Sequence, residues 1–280
     1  LDYDRLPVMD KWLLSRMNTM IRSVDEDLEN YKITEAAVAL ENYVDEMSNW
    51  YVRRCRDRFW AKGMEQDKIN AYMTLYTALV NVCKAAAPMI PFMTEEIYQN
   101  VVRSVDPSAP ESIHLCLFPK ADVSRIDTQL EADMDEVVKI VVMGRACRNA
   151  SNIKNRQPIA RMFVKAPAEL SDFYKEIIQN ELNVKEVRFT DDVREFTSYT
   201  FKPQLRTVGP KYGKQLGGIR KYLAALDGNE AMDRLNAEGA LRFEAAGTEV
   251  ELTKDDLLID TAQKAGYVSQ EDNTFTVVLD

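Results

Sequence analysis

Between residues 9 and 59 the apolar side chains recur at intervals of three and four, a spacing that an amphipathic helix satisfies and a strand does not. Met9, Trp12, Leu13, Met17, Met20, Ile21, Val24 and Leu28 make one stripe, which ends at Asn30-Tyr31. Ala37, Leu40, Val44, Met47, Tyr51, Cys55 and Phe59 make a second. Thr34 is its expected N-cap, Trp60 its expected end and Gly63 its stop. A third helix carries Tyr72, Leu75, Leu79, Val82 and Ala86 and breaks at Pro88. Pro91 suits the first turn of a fourth, which reaches Val102. Residues 113–119 read as extended. A fifth helix covers 128–153, with Leu130, Met134, Val137, Val138, Val141 and Val142 on its stripe. Short links between such helices predict an antiparallel bundle.

The pattern changes after Arg156-Gln157-Pro158. Strands are expected at 162–164, 187–189, 199–201, 241–243, 249–252 and 275–279, and helices at 170–182, 211–226 and 229–236. Gly217-Gly218 weakens the second of these helices by about 1 kcal/mol per glycine. The predicted fold is mostly α with an α+β tail: a helix bundle over residues 1–156 and a small α+β domain over 157–280.

Several functions are excluded by what the chain lacks. Its single histidine, His114, rules out two-histidine metal sites. The four cysteines (Cys55, Cys83, Cys116 and Cys147) lie roughly thirty residues apart without a C-x-x-C pair, which fits a reducing, cytoplasmic setting. No apolar run reaches the roughly 18 residues of a membrane span, so no membrane partner is expected. Neither a dinucleotide fingerprint nor a nucleophile with a base is present. Gly209-Pro210-Lys211-Tyr212-Gly213-Lys214-Gln215 fails the phosphate-loop test, because only three residues separate its glycines and a Gln follows the Lys. The pairs Glu95-Glu96 and Asp255-Asp256 read as solvated faces. No catalytic residue and no metal ligand is assigned. The chain starts at Leu1 without an initiator Met and reads as a piece of something longer.

Charge is the informative remainder. The formal net charge is -9, yet three basic blocks interrupt the acidic background. Arg53, Arg54, Arg56, Arg58 and Lys62 meet one acid, Asp57. Residues 137–168 contain Lys139, Arg145, Arg148, Lys154, Arg156, Arg161 and Lys165 and no acid. Residues 196–226 contain Lys202, Arg206, Lys211, Lys214, Arg220 and Lys221, again without one. Local cationic blocks in an acidic chain are what a nucleic-acid footprint looks like, and solvated basic faces are the competing reading. At about 100° per residue, Arg53, Arg56 and Trp60 fall opposite the Tyr51–Cys55 stripe, where they can meet phosphate and a base face. Arg54 and Arg58 flank the stripe, where structural ion pairs are the favoured alternative. In 152–158 the residues Lys154, Arg156 and Gln157 suit single-stranded RNA; a polar cap of the fifth helix is the other possibility.

Met9-Asp10-Lys11-Trp12-Leu13-Leu14-Ser15-Arg16-Met17-Asn18 and Ser48-Asn49-Trp50-Tyr51-Val52-Arg53-Arg54 resemble the anticodon-binding domain of class I aminoacyl-tRNA synthetases of the isoleucyl, valyl and leucyl group. Ala87-Pro88-Met89-Ile90-Pro91-Phe92-Met93-Thr94-Glu95-Glu96-Ile97-Tyr98 and Ser112-Ile113-His114-Leu115 are similar to later stretches of it. Gly144-Arg145 with Ile153-Lys154-Asn155-Arg156-Gln157-Pro158, and Thr207-Val208-Gly209-Pro210-Lys211-Tyr212-Gly213-Lys214, resemble the isoleucyl branch in its eukaryote-like form. The resemblance implies the C-terminal part of a ligase that charges isoleucine onto its tRNA with ATP and Mg. The family's H-I-G-H and K-M-S-K-S signatures are absent here, so no cofactor is expected in this chain. The implied partners are an isoleucine tRNA and the family's own N-terminal catalytic domain. The implied tRNA contacts are Arg53, Arg56, Trp60, Arg145, Arg148, Lys154, Arg156, Gln157, Lys211 and Lys214. The zinc of the other branch has no cysteine ligands here. A valyl or leucyl module is the near alternative, although residues 241–280 lack the heptads of a valyl coiled-coil arm. A helical protein-interaction scaffold is the distant one.

Overall fold

The computed structural model describes every residue except 193–195, 264–265 and 273. The chain divides into two compact units, Leu1–Ala132 and Asp133–Asp280. The division falls at 132/133, inside a helix, and not at the expected 156/157.

The first unit is helical: α1 (Val8–Glu29), α2 (Ile33–Asp45), α3 (Arg56–Trp60), α4 (Gln66–Ala86), α5 (Pro91–Tyr98) and the start of α6 (Thr128–Ala150). The α1 stripe is buried as expected, with Trp12, Leu13, Ile21 and Val24 almost fully enclosed. Each such side chain contributes about 1.5–3 kcal/mol. The helix packs on α2 and α4. Its buried polar residues serve as anchors. Ser15 accepts from the Asp127 amide at 2.8 Å and donates to Glu131, and Asn18 accepts from the Asp122 amide at 2.8 Å. They tie the segment before α6 to α1.

Three local expectations are corrected here. Thr34 is not an N-cap, because α2 already begins at Ile33 after Tyr31 takes a left-handed φ of 57°. The second helix is not continuous: it widens to a π-helical stretch at Glu46–Val52 and breaks at Cys55 before α3. Trp50 and Tyr51, both within the wider turn, are buried. Residues 113–119 are not extended throughout: they open on a tight turn at Ile113–Leu115, after which Cys116 returns to extended backbone. The Glu95 carboxylate accepts from the Ile113 amide at 2.9 Å and the Ser112 hydroxyl at 2.8 Å, so that amide has no ladder to join.

The second unit is α+β. After α6 come β1 (Ile159–Lys165), α7 (Asp172–Leu182), β2 (Val184–Phe189), β3 (Thr197–Pro203), α8 (Leu205–Tyr212), α9 (Leu216–Ala225), α10 (Gly228–Glu238), β4 (Ala240–Ala245), β5 (Thr248–Thr253), β6 (Leu257–Gln263), β7 (Val268–Glu271) and β8 (Thr276–Leu279). A mixed sheet has the order β2-β1-β8-β7, with β1 and β2 parallel and α7 as their crossover. Met162, Val164, Val277 and Ile178 are among its buried side chains. At Gly144 a Cβ would collide with the Leu182 side chain, so glycine permits α6 and α7 to approach closely. The pairs β3–β6 and β4–β5 enclose a second core with α8, α9 and α10, built on Phe201, Val208, Ile219, Leu223, Leu235, Leu241 and Val250. Ala246 and Gly247, both at positive φ, make the β4–β5 turn.

The strands β6 and β7 were not expected; Leu257-Leu258-Ile259-Asp260 does not alternate cleanly, and its pairing with β3 is long-range. The expected helix over 211–226 is two helices with a tight turn at Gly213–Gln215 between them, and Pro210 lies inside the first.

Candidate nucleic-acid interface

The first basic block is sorted by α3. Arg58 turns inward and its guanidinium grips Asp10, at 2.6 Å to Oδ1 and 2.9 Å to Oδ2, while its Nε donates to Asp67 at 2.9 Å. Asp10 is 0% exposed and also accepts from the Tyr51 hydroxyl at 2.7 Å. Burial and then Asp10 push the Tyr51 phenol well above its ordinary value, so it remains the donor. The favoured structural reading of Arg58 therefore holds. On the opposite side Arg53, Arg56 and Trp60 are exposed, as the helical wheel requires. The Arg56 guanidinium lies 4.6 Å from the Trp60 ring, and Trp60 keeps 73% of its surface in solvent. Arg53 donates to the Asn49 carbonyl at 2.8 Å and lies near the Trp50 ring.

The second block surrounds the C-terminal end of α6. Lys154, Asn155, Arg156 and Gln157 are all exposed, in a turn closed by the Gln157 amide on the Lys154 carbonyl at 2.9 Å. Arg145 pairs with Glu181 at 2.8 Å and stays 39% exposed. Arg148 corrects the expectation: it is 0% exposed, with its donors on main-chain carbonyls, so it has no surface with which to meet RNA.

The third block is divided. Lys211 bonds both oxygens of Asp256, at 3.0 and 3.2 Å, so its charge is committed within the fold although its side chain is half exposed. Asp256 itself is buried, against the expectation of a solvated carboxylate pair. Lys214 is exposed on the turn after α8. Gly209 and Pro210 lie within α8.

The anticodon-binding domain family of tRNA ligases matches residues 10–164. The chain belongs to this family. Among relatives of this tRNA-ligase module, an "Isoleucine--tRNA ligase" of Clostridium novyi (strain NT) is 46% identical over 275 residues, covering 98% of this chain and 26% of the relative. One from Porphyromonas gingivalis (strain ATCC BAA-308 / W83) is 38% identical, covering 99% and 24%. An "Isoleucine--tRNA ligase 2" of Bacillus thuringiensis subsp. konkukian (strain 97-27) is 36% identical, covering 97% and 26%. The chain thus spans about a quarter of the length of the relatives it matches. The α3 group and the 154–157 turn lie inside the family match, and Lys211 and Lys214 lie outside it.

One feature of this tRNA-ligase module has no signal in the sequence. A cavity of about 700 Å³ is lined by Tyr199, Phe201, Gln204, Arg220, Leu223 and Leu258, from elements far apart in the chain.

The buried Asp256, paired with Lys211, carries a pH prediction. Burial works against the Asp256 charge, but hydrogen bonds from Lys211 and Thr253 outweigh it and hold the carboxyl below the usual carboxylate range. A carboxylate held lower in the folded state contributes stability above its unfolded value of about 3.9, and that stability is lost as pH falls through the folded value. Asp256→Asn is expected to cost about 1.5–3 kcal/mol at pH 7, and less as the pH drops below about 4. Urea unfolding at pH 3 to 7 checks this; an equal cost at every pH would refute it.

Proposed function

We propose that this chain binds the anticodon arm of an isoleucine tRNA as the C-terminal part of an isoleucine–tRNA ligase. The observation that carries the reading is the family match over 10–164, which contains both the outward Arg56–Trp60 pair and the exposed Lys154, Arg156 and Gln157. In this reading α1, α2 and α4 belong to the antiparallel bundle of a synthetase anticodon-binding domain. Arg53 and Arg56 meet phosphates, Trp60 stacks on a base, and Lys154, Arg156 and Gln157 meet the single-stranded loop. Arg145, Lys211 and Lys214 add positive charge near the RNA. Isoleucine activation, with its ATP and Mg, belongs to the catalytic part of the longer protein.

A second partner fits the same reading. Phe92, Met93, Leu115 and Leu117 are 64–90% exposed, and His114 Nε2 lies 3.3 Å from the Pro91 carbonyl, which brings the two segments together. Apolar side chains of this size in water suit a face covered by the ligase's own catalytic domain. The setting is the cytoplasm, and among the described residues no helix is long and apolar enough to cross a membrane.

The experiment is a titration with an isoleucine tRNA transcript and an anticodon-swapped version at several salt concentrations. Affinity should fall steeply with salt and should fall further on the swap. Binding indifferent to the anticodon would remove base reading. Absence of binding at low salt would overturn the proposal and favour the scaffold.

A further inference from the structure

Arg148 is the most deeply buried cation described in the chain, and its environment is unusual. Its Nε donates to the Leu182 carbonyl at 2.9 Å. Nη1 donates to the Lys154 carbonyl at 2.9 Å. Nη2 donates to the carbonyls of Gln157 at 2.9 Å and Asn183 at 3.2 Å, and to that of Leu182. Every one of these acceptors is a main-chain carbonyl. Burying a guanidinium without a carboxylate is costly. The C-terminal end of α7 offsets part of that cost: Leu182 and Asn183 stand at the negative end of the helix dipole, where a cation is favoured.

The other two carbonyls belong to the turn that carries Lys154, Arg156 and Gln157. Arg148 thus fastens this turn at two points to the end of α7. A third tie runs in the same direction, from Asn183 Nδ2 to the Asn155 carbonyl at 3.2 Å. With the carbonyls of residues 154, 155 and 157 drawn inward, the side chains are left facing solvent. Only a planar fork of five donors reaches all these acceptors at once; a lysine ammonium has three donors from one point.

We propose that Arg148 is the positioning residue of the 152–158 turn: it sets Lys154, Arg156 and Gln157 in place before the RNA arrives, and never touches the RNA. Preorganisation of this kind raises affinity by lowering the ordering cost of binding. The inference rests on the reading that this turn meets tRNA.

The test uses Arg148→Lys, which keeps the charge and loses the fork, in the 280-residue chain. Amide hydrogen exchange at 154–157, without RNA, should speed up by about tenfold or more. Affinity for an isoleucine tRNA transcript should fall by about tenfold. In a Lys154→Ala, Arg156→Ala, Gln157→Ala background, Arg148→Lys should change affinity by less than about twofold, because residues that act as a unit do not add. A full tenfold loss in that background would show that Arg148 acts through general stability and would overturn the proposal. So would unchanged exchange in the turn. If the triple variant binds like the parent chain, the RNA reading of the turn falls, and the role of Arg148 toward RNA falls with it. The exchange rates would then still show whether Arg148 holds the turn. Asn183→Gly is the milder companion should Arg148→Lys fail to fold. It suits the left-handed φ of 50° and removes only the tie to Asn155, so exchange should rise in the same direction by a smaller factor. No rise in that variant would count against the clamp.

Discussion

Arg58→Met is expected to destabilise the helical unit by about 3–5 kcal/mol, the usual cost of removing one partner from a buried ion pair. The loss comes less from the bond than from what remains. Asp10 is wholly enclosed at the start of α1, and without Arg58 its charge is left with the Tyr51 hydroxyl as its close side-chain partner. The double variant Asp10→Asn, Arg58→Met should therefore cost less than Arg58→Met alone, because a neutral amide still accepts from Tyr51. Urea unfolding of both variants measures this. If the two changes simply add, packing and not the orphaned charge sets the cost.

Trp60→Ala should do the reverse, sparing the fold and weakening RNA binding. The ring is 73% exposed, so its removal should leave the unfolding midpoint almost unchanged. A base stacked on it is worth about 1–3 kcal/mol, which is a loss of about 5- to 150-fold in affinity for an anticodon stem-loop RNA. Arg56→Ala should lower the steepness of the salt dependence by about one phosphate contact. Anisotropy titrations at several salt concentrations report both. Unchanged affinity of Trp60→Ala would remove α3 from the RNA surface and leave Trp60 to pack against another domain.

The helices of the first unit were legible because their signal is local. A stripe at three and four marks most of the residues that face inward, although Ala37, Val44, Tyr72 and Val142 of the expected stripes lie exposed, because the exact buried face depends on what the helix packs against. That is why the exposure of Arg53, Arg56 and Trp60 followed from angle alone, even though the helix proved to be interrupted twice. The interruptions were not legible. The π-helical stretch and the break at Cys55 accompany the grip of Arg58 on a residue 48 positions away, a partner that no local pattern records. In the second unit β1, β2, β4 and β5 were legible from short apolar runs and turns. β6 was missed because its identity as a strand depends on β3, more than fifty residues earlier.

The candidate site divides along the same line. By itself the sequence determined where cations are dense and which lie on an outward helical face, since both are properties of neighbours in the chain. Tertiary structure decided what each cation is for. Arg58 neutralises Asp10, Lys211 holds a buried Asp256, and Arg148 spends its donors on carbonyls of two other segments, whereas Lys154, Arg156 and Gln157 remain in solvent. A charge is free or committed according to the acceptors and the degree of desolvation around it, and distant segments supply both. The three basic blocks looked alike in the sequence because composition records the charge and not its partner.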